Sequence, residues 1–202
     1  TRASLAPTIT SVVTRAPGVA VGKCPGAEAL LTTSMKSVGE AMSIWRTFQE
    51  SLQKALRSME TGLTGLNEIE IKGAPDKAAI VGALSRPTPD RILVIAQAIR
   101  HGLTVEEIAQ ASKYEPWFLR QSEQLVSIEA EVRKSGLPKD TKALLELKKK
   151  GFSDERLGKL TKVSSAEIAQ RRRAPGVGPV MKHTRNASWG VSRHVSGVDV
   201  TV

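Results

Sequence analysis

The apolar positions in the second part of the first third, from Val38 to Met59, predict a strand followed by a helix. An apolar run from Val38 to Ile44 has the length of a short strand. After it, apolar side chains recur at helical spacing from Phe48 to Met59, and Thr47 with Glu50 has the sequence of a capping box. Before residue 34, β-branched segments alternate with Pro-Gly pairs, which predicts a short strand and loops. The helix is the most secure of these elements.

From residue 77 to residue 173 the spacing of apolar residues is almost wholly helical. Residues 62 to 75, just before this region, hold three glycines and Pro75, which is the composition of a linker. Glycines fall where helices should end, and Pro116 stands where one should begin. The predicted helices are Lys77 to Leu84, Pro89 to Arg100, Thr104 to Ala111, Pro116 to Lys134, Asp140 to Lys150, Asp154 to Leu160 and Ser165 to Arg173. Residues 174 to 202 have no helical period, and we expect irregular or disordered chain there, with one late strand at most.

Two parts of the helical region resemble each other at an offset of 49 residues, without gaps. The aligned positions are Gly102 to Ile108 over Gly151 to Leu157, and Lys113 over Lys162. In each copy a glycine and an apolar residue end one helix, and a hydroxyl residue caps the next. Two capping boxes fit this arrangement, Thr104 with Glu107 and Ser164 with Glu167. We expect two copies of a small helical hairpin that pack on each other or on a partner.

The net charge of +10 on 202 residues is unevenly distributed. Most of it lies in residues 134 to 173, where twelve Lys and Arg stand against five Asp and Glu, a net charge of +7. Two runs dominate this stretch, Lys148 to Lys150 and Arg171 to Arg173. We expect the lysine run to be a solvated helix end, where cations complement the helix dipole.

A basic helical pair leaves a DNA-binding alternative open, that of a helix-turn-helix protein. A recognition helix exposes Arg, Lys, Asn or Gln in its first turns. The two candidate helices begin instead with Trp117, Phe118 and Leu119, and with Ala166, Glu167 and Ile168. We expect the aromatic pair, together with Leu125, Val126, Ile128 and Val132, to be core. The residues therefore favour a structural hairpin over a DNA-binding one.

Signals for catalysis, metal binding and membrane insertion are weak along the whole sequence. No phosphate-binding glycine loop, HExxH or CxxC motif is present. One cysteine, Cys24, cannot form an internal disulfide, and His101, His183 and His194 are too scattered for a metal cluster. No apolar stretch approaches the roughly 20 residues that a spanning helix needs, and residues 1 to 22 lack the core of a signal peptide. A reducing, cytoplasmic setting is expected.

Five segments, taken in order, form a longer and more specific pattern. They are Thr32 to Glu40 (TTSMKSVGE), Arg46 to Arg57 (RTFQESLQKALR), Tyr114 to Gln121 (YEPWFLRQ), Leu147 to Asp154 (LKKKGFSD) and Gly178 to Lys182 (GPVMK). The first two are similar to the end of the first ATP-grasp half of the carbamoyl phosphate synthase large subunit. The others resemble that subunit's helical oligomerisation domain and the first residues beyond it. The resemblance extends over roughly residues 5 to 182.

The resemblance implies a mainly α fold, in which a helical oligomerisation domain of paired helix hairpins follows a short α/β remnant of an ATP-grasp domain. The expected divisions are 1–62 for the remnant of the carboxyphosphate domain, 63–182 for the oligomerisation domain and 183–202 for a divergent, irregular tail. On this interpretation the chain is a fragment of the large subunit. It would act as a structural and oligomerisation module, without catalytic, cofactor-binding or metal-binding residues of its own.

The resemblance also implies a setting for this module. The complete family protein makes carbamoyl phosphate with glutamine as nitrogen donor, for pyrimidine and arginine synthesis, and uses ATP with Mg²⁺ or Mn²⁺. The nucleotide and metal sites have no counterpart here, so this member of a ligase family is expected to be inactive alone. Glu40 is placed near the channel that carries carbamate between sites. The expected partners are a second copy and other synthase subunits, with no membrane and no specific nucleic acid.

Three departures from the family pattern bear on packing. Trp45 stands where the family usually has glycine, and Ser122 replaces an aliphatic residue of the Trp-Phe-Leu helix. The stretch from Gly18 to Cys24 lacks the family's usual aromatic residues.

Overall fold

The computed structural model describes residues 11–19, 30–33, 36–174, 176–177, 179–180 and 200–201. The strands in these ranges are β1 Val12–Val19, β2 Ser37–Trp45, β3 Pro179–Val180 and β4 Val200–Thr201. The helices are α1 Phe48–Ser58, α2 Lys77–Ser85, α3 Arg91–Arg100, α4 Val105–Ser112, α5 Pro116–Ser135, α6 Thr141–Lys149, α7 Asp154–Thr161 and α8 Ser165–Arg173. The expectation of a mainly α chain preceded by a small α/β unit is confirmed. Predictions about Cys24, His183, His194 and residues 181–199 lie outside the described residues.

Strands β1 and β2 form an antiparallel hairpin with one covered face and one open face. Val13 lies opposite Ile44, and both side chains point outward with Met42, each about half exposed. On the inner face, the Ser51 hydroxyl of α1 donates to the carbonyl oxygen of Ser43 (2.9 Å). The predicted strand from Val38 to Ile44 is confirmed, and its alternation shows which face packs on α1.

Helix α1 is enclosed from two sides, by the hairpin and by the later helices. All residues from 49 to 56 are buried, polar ones included. Its apolar side chains Leu52 and Leu56 belong to the same core as Leu125 of α5. The Thr47 hydroxyl accepts from the Glu50 backbone N–H (3.3 Å). The second half of the expected capping box does not form, because the Glu50 carboxylate accepts from Lys54 instead.

The segment between α1 and α2 packs into the fold, although its composition predicted a linker. Leu66 is fully buried, and Thr64 and Ile71 are nearly so. The Thr64 backbone N–H donates to the side-chain oxygen of Asn67 (2.9 Å), which closes a tight turn. Residues 62–76, called the connector below, are therefore held by the helical core. The expected domain division at residues 62 and 63 stays a prediction.

The internal repeat is confirmed in the backbone and in the core. Helices α4 and α7 begin at matched caps, Thr104 and Ser153, and both end at a left-handed lysine, Lys113 and Lys162. The buried positions also correspond, with Ile108 matched to Leu157 and Leu119 to Ile168. Thr104 and Glu107 form the expected complete capping box. At Ser164 only half a box forms, because Glu167 pairs with Arg171.

Two apolar clusters divide the interior between them. The first joins α1, the connector, α3 and α5 to α6, α7 and α8, and contains Phe152 and Leu157. The second lies among α2, α3, α4 and the start of α5, and contains Ile80 and Ile95. Helices α3 and α5 contribute to both clusters, so they hold the two repeat copies together.

Candidate functional site at the joint of hairpin and helices

Glu40, the residue singled out for a channel position, lies on the outward face of the hairpin. Its carboxylate accepts from the Arg15 guanidinium across the two strands, and both side chains are about half exposed. The hydrogen bond from Arg15 to Glu40 raises the pKa of Arg15 above its usual value. The ion pair therefore fixes a cation and an anion side by side on an open face. A channel role for Glu40 stays a prediction.

The contact between α1 and the turn after α6 is called the joint below. A Cβ added to Gly151 would lie 2.9 Å from the Cα of Glu50 and 3.1 Å from its carbonyl oxygen. Gly151 also has a φ of +90°, which side chains rarely adopt. From α1, the Gln53 side-chain amide donates to the carbonyl oxygen of Lys150 (2.9 Å). Only glycine allows the two backbones to approach this closely.

Lys54 links α1 to the end of the hairpin. Its ammonium donates to Glu50 (3.0 Å) and lies 3.1 Å from the centroid of the Trp45 ring. Burial lowers the pKa of Lys54, and the hydrogen bond that Lys54 donates to Glu50 opposes this only in part. Trp45, at a position where the resemblance implies glycine, thus covers a buried cation.

Arg156, which is itself buried, is the centre of a charge network called the arginine hub below. Its guanidinium makes two bonds of 2.7 Å to Glu129 and further bonds to Glu68, and Arg100 also donates to Glu129 (2.8 Å). Arg156 and Arg100 both donate to the carbonyl oxygen of Leu66 in the connector. The hub ties α3, α5, α7 and the connector into one unit.

The hub shifts the pKa values of two of its members, Arg156 and Glu68, in the directions that favour their charged forms. Burial lowers the pKa of Arg156, but hydrogen bonds to Glu129 and Glu68 outweigh it and raise the pKa overall. Burial also disfavours the charged form of Glu68 and by itself would raise its pKa. The hydrogen bond from Arg156, together with other contacts, outweighs burial and lowers the pKa of Glu68 to about 2. Arg156 and Glu68 are therefore both charged at neutral pH. The role of Arg156 could not be predicted from the internal repeat. The equivalent residue in the first copy is Glu107, which has a different role, because it completes a capping box.

A second network surrounds Asp154, beside the hub. Lys148 is buried and donates to Asp154 (3.0 Å) and to the carbonyl oxygen of Phe152 (2.7 Å). Arg172 of α8 donates to the other Asp154 oxygen (3.0 Å) and to the carbonyl oxygen of Val177. The expectation that the lysine run is a solvated helix end is therefore wrong for Lys148. Burial lowers the pKa of this lysine, and Asp154 opposes the shift.

Three aromatic rings meet where α1 and α5 begin. The Phe48 ring lies 5.4 Å from Trp117 and 5.2 Å from Phe118, centroid to centroid, in tilted and edge-to-face arrangements. Beside them, the side-chain amide of Gln49 donates to Gln124 (2.6 Å).

Trp117 and Phe118 are 46% and 41% exposed, so the expectation that both are core is wrong. Leu125, Val126 and Val132 are buried as expected, and Ser122 is buried among them with its hydroxyl bonded to the Phe118 carbonyl oxygen.

The comparison with known families decides the identity of this assembly of helices. Residues 40–176 match the family described as carbamoyl-phosphate synthetase large chain, oligomerisation domain. The chain belongs to this family. Both the joint and the hub lie inside the matched residues, as does Glu40 at its first position.

Curated relatives agree with the family match. The chain is 51% identical over 185 residues to the carbamoyl phosphate synthase large chain of Brucella melitensis, and 52% identical over 186 residues to that of Rhizobium meliloti. The large chain of Neisseria meningitidis serogroup B is 48% identical over 183 residues. Each alignment covers 90% of this chain but only 16% or 17% of the relative. The chain thus spans about a sixth of the length of these relatives.

The oligomerisation-domain assignment leaves the DNA-binding alternative without support. Of the arginines at the end of α8, Arg171 pairs with Glu167 and Arg172 with Asp154. Lys148, from the other basic run, is buried. Much of the positive charge between residues 134 and 173 is therefore used in contacts within the chain.

Clusters of metal ligands and membrane-spanning helices are both absent from the described residues. No group of three or more His, Cys, Asp and Glu side chains there is arranged to hold a metal ion. None of the helices described is both long enough and apolar enough to cross a membrane. Use of ATP with Mg²⁺ or Mn²⁺ stays a prediction about the complete family protein.

Proposed function

We propose that this chain acts as the self-association module of a carbamoyl phosphate synthase large chain. The observation that carries the proposal is the match of residues 40–176 to the oligomerisation domain of that protein. An oligomerisation domain needs a stable surface that binds a partner chain, and it does not need to bind or convert a substrate. Its role is therefore structural, with a second copy or another synthase subunit as partner.

The buried networks support a structural role because they make the domain rigid. The arginine hub connects three helices and the connector through charged hydrogen bonds, which are stronger and more directional than neutral ones. The joint adds α1 to this unit through the close approach at Gly151. A partner that binds the helices then meets a surface ordered before binding, which reduces the entropy lost on association.

We also propose which reaction and which compartment the complete enzyme serves. The complete enzyme would synthesise carbamoyl phosphate with glutamine as nitrogen donor, for pyrimidine and arginine synthesis, and would use ATP with Mg²⁺ or Mn²⁺ in parts outside the matched domain. Glu40 would lie near the route of carbamate, with Arg15 holding its carboxylate in place. The cytoplasm is the compartment that fits such an enzyme.

Two measurements on the purified 202-residue chain test the proposal. Sedimentation velocity over a concentration series should show a species heavier than one chain, growing with concentration. ATP hydrolysis measured with and without bicarbonate should not exceed the buffer control. A chain that stays monomeric at high concentration contradicts the self-association, and bicarbonate-dependent ATP hydrolysis contradicts the purely structural role.

A further inference from the structure

The turns that precede α4 and α7 are equivalent in the internal repeat, but among the described residues a helix covers only the second. The backbone N–H groups of Gly102 and Gly151 each donate to the carbonyl oxygen three residues earlier, at 2.9 Å in both copies. Helix α1 lies so close to Gly151 that an added Cβ would be 2.9 Å from the Cα of Glu50. A Cβ added to Gly102 would meet nothing within 4 Å. One copy of the repeat therefore binds a helix at this turn, and the other copy has the same turn open.

The open turn is part of a groove of about 520 Å³, called the repeat groove below. Gly102 and Ile99 line it from the end of α3, Glu106 from α4, and Arg120 and Glu123 from α5. The three charged residues are exposed, and none of them takes part in an ion pair of the described residues. The repeat groove therefore has space for an occupant and charged side chains that are free to bind it.

The contact that α1 makes at the second copy shows what kind of surface fits this turn. Gln53 of α1 lies against Gly151, and its side-chain amide donates to the carbonyl oxygen of Lys150 (2.9 Å). At an offset of 49 residues, the carbonyl group equivalent to that of Lys150 belongs to His101. The carbonyl oxygen of His101 accepts no hydrogen bond from the described residues. A glutamine on an incoming helix can therefore bind in the first copy as Gln53 does in the second.

The charges of the two copies differ, and the difference specifies the occupant. The second copy has Arg172 where the first has Glu123, and Arg172 is already paired with Asp154 (3.0 Å). In the repeat groove the anions Glu106 and Glu123 stand against one cation, Arg120, so the groove is locally negative in a chain of net charge +10. A locally negative groove attracts and orients a helix that carries cations on its contact face.

We infer that the repeat groove binds an α-helix of a partner protein that presents a glutamine and, one turn later, a lysine or arginine. The glutamine donates to the carbonyl oxygen of His101, and the cation pairs with Glu106 and Glu123. Gln53 and Arg57 of α1 have this spacing, which puts both on one face of a helix. Helix α1 of a second copy cannot be the occupant, because it is enclosed between its own hairpin and helices. The inference goes beyond the proposed self-association and does not depend on it.

A labelled peptide with the sequence of residues 46–60 (RTFQESLQKALRSME) is the probe, because it carries the α1 contact face. A cross-link between its positions 51 and 55, away from that face, keeps the short peptide helical. Fluorescence anisotropy with the 202-residue chain should give a saturable curve. Glu123→Lys in the chain should weaken binding by about tenfold or more. Glu70→Lys is the control with the same change of net charge, since Glu70 is exposed, in no ion pair and outside the groove; it should change the affinity by less than about twofold.

Changes in the peptide complete the test. Gln53→Leu in the peptide should weaken binding by about fivefold, because the hydrogen bond to His101 is lost. Arg57→Glu in the peptide should weaken binding to the unmodified chain and restore binding to the Glu123→Lys variant. That recovery supports the repeat groove. Equal binding to the Glu123→Lys and Glu70→Lys variants, as expected if the peptide exchanged with α1 at the joint, overturns the inference. Absence of saturable binding also overturns it, and neither result bears on self-association, which is measured without peptide.

Discussion

Arg156 and Glu129 form a two-pronged ion pair in which both side chains are almost completely buried. Nε of Arg156 donates to one carboxylate oxygen and Nη2 to the other, each at 2.7 Å, and the side chains are 1% and 2% exposed. The remaining donors of Arg156 bind Glu68 and the carbonyl oxygen of Leu66. Every charge in the pair is thus compensated, which is the condition for a buried ion pair to be tolerated.

Replacement of Arg156 by methionine should destabilise the fold strongly. The variant leaves Glu129 buried with Arg100 as its remaining cation, and breaking a buried pair from one side costs about 3 kcal/mol or more. Urea unfolding followed by circular dichroism measures the loss. Lys159→Met is the control on the same helix, because the exposed pair of Lys159 with Glu155 should contribute less than about 1 kcal/mol. Equal losses in the two variants would contradict a structural role for the hub.

Acid should destabilise the chain in part through Glu68. Its pKa falls from 4.5 in the unfolded chain to about 2 in the fold. A depressed pKa gives stability that is complete above the unfolded value and is lost as the pH falls from 4.5 towards 2. Glu68→Gln should therefore flatten the decline of the unfolding free energy in this interval. Arg133→Gln removes a lesser contact of the same carboxylate and should keep most of the slope. An unchanged slope in Glu68→Gln would show that Glu68 is not held by Arg156.

The repeat supplies a matched pair of glycines for testing the joint. Gly102 and Gly151 are equivalent positions with φ of +84° and +90°, but a Cβ at Gly102 meets nothing within 4 Å. Gly102→Ala should therefore cost about 1 kcal/mol from the backbone alone. Gly151→Ala adds the clash with Glu50 and should cost about 2 to 4 kcal/mol in total. Thermal unfolding of both variants measures the difference, and equal costs would mean that α1 does not approach Gly151 as closely as described.

Local signals in the sequence were enough to predict most helices and the repeat. Thr104 and Ser153 are hydroxyl caps before apolar periods, and Pro116 begins α5 as expected. Such features act within a few residues, so they can be recognised from sequence spacing alone. The family resemblance, carried by several long segments, was likewise confirmed by the match over residues 40–176.

The errors arise where distant contacts override local composition. Lys148 was expected to lie in a solvated helix end, but it is buried and donates to Asp154. Asp154 in turn also accepts from Arg172. The connector was predicted to be a linker because of its glycines and Pro75, whereas buried Leu66, whose carbonyl oxygen accepts from two arginines, holds it in the fold. Trp117 has the spacing of a core residue, yet α1 covers only part of its ring. None of these partners can be inferred from spacing within one helix.

Static light scattering on the intact chain, over a concentration series at physiological salt, tests the central claim most directly. If the chain is a self-association module, its mass should rise from that of one chain to at least twice that value as concentration increases. A mass equal to one chain throughout the series, for a chain that circular dichroism shows to be helical, would contradict the self-association module proposed here.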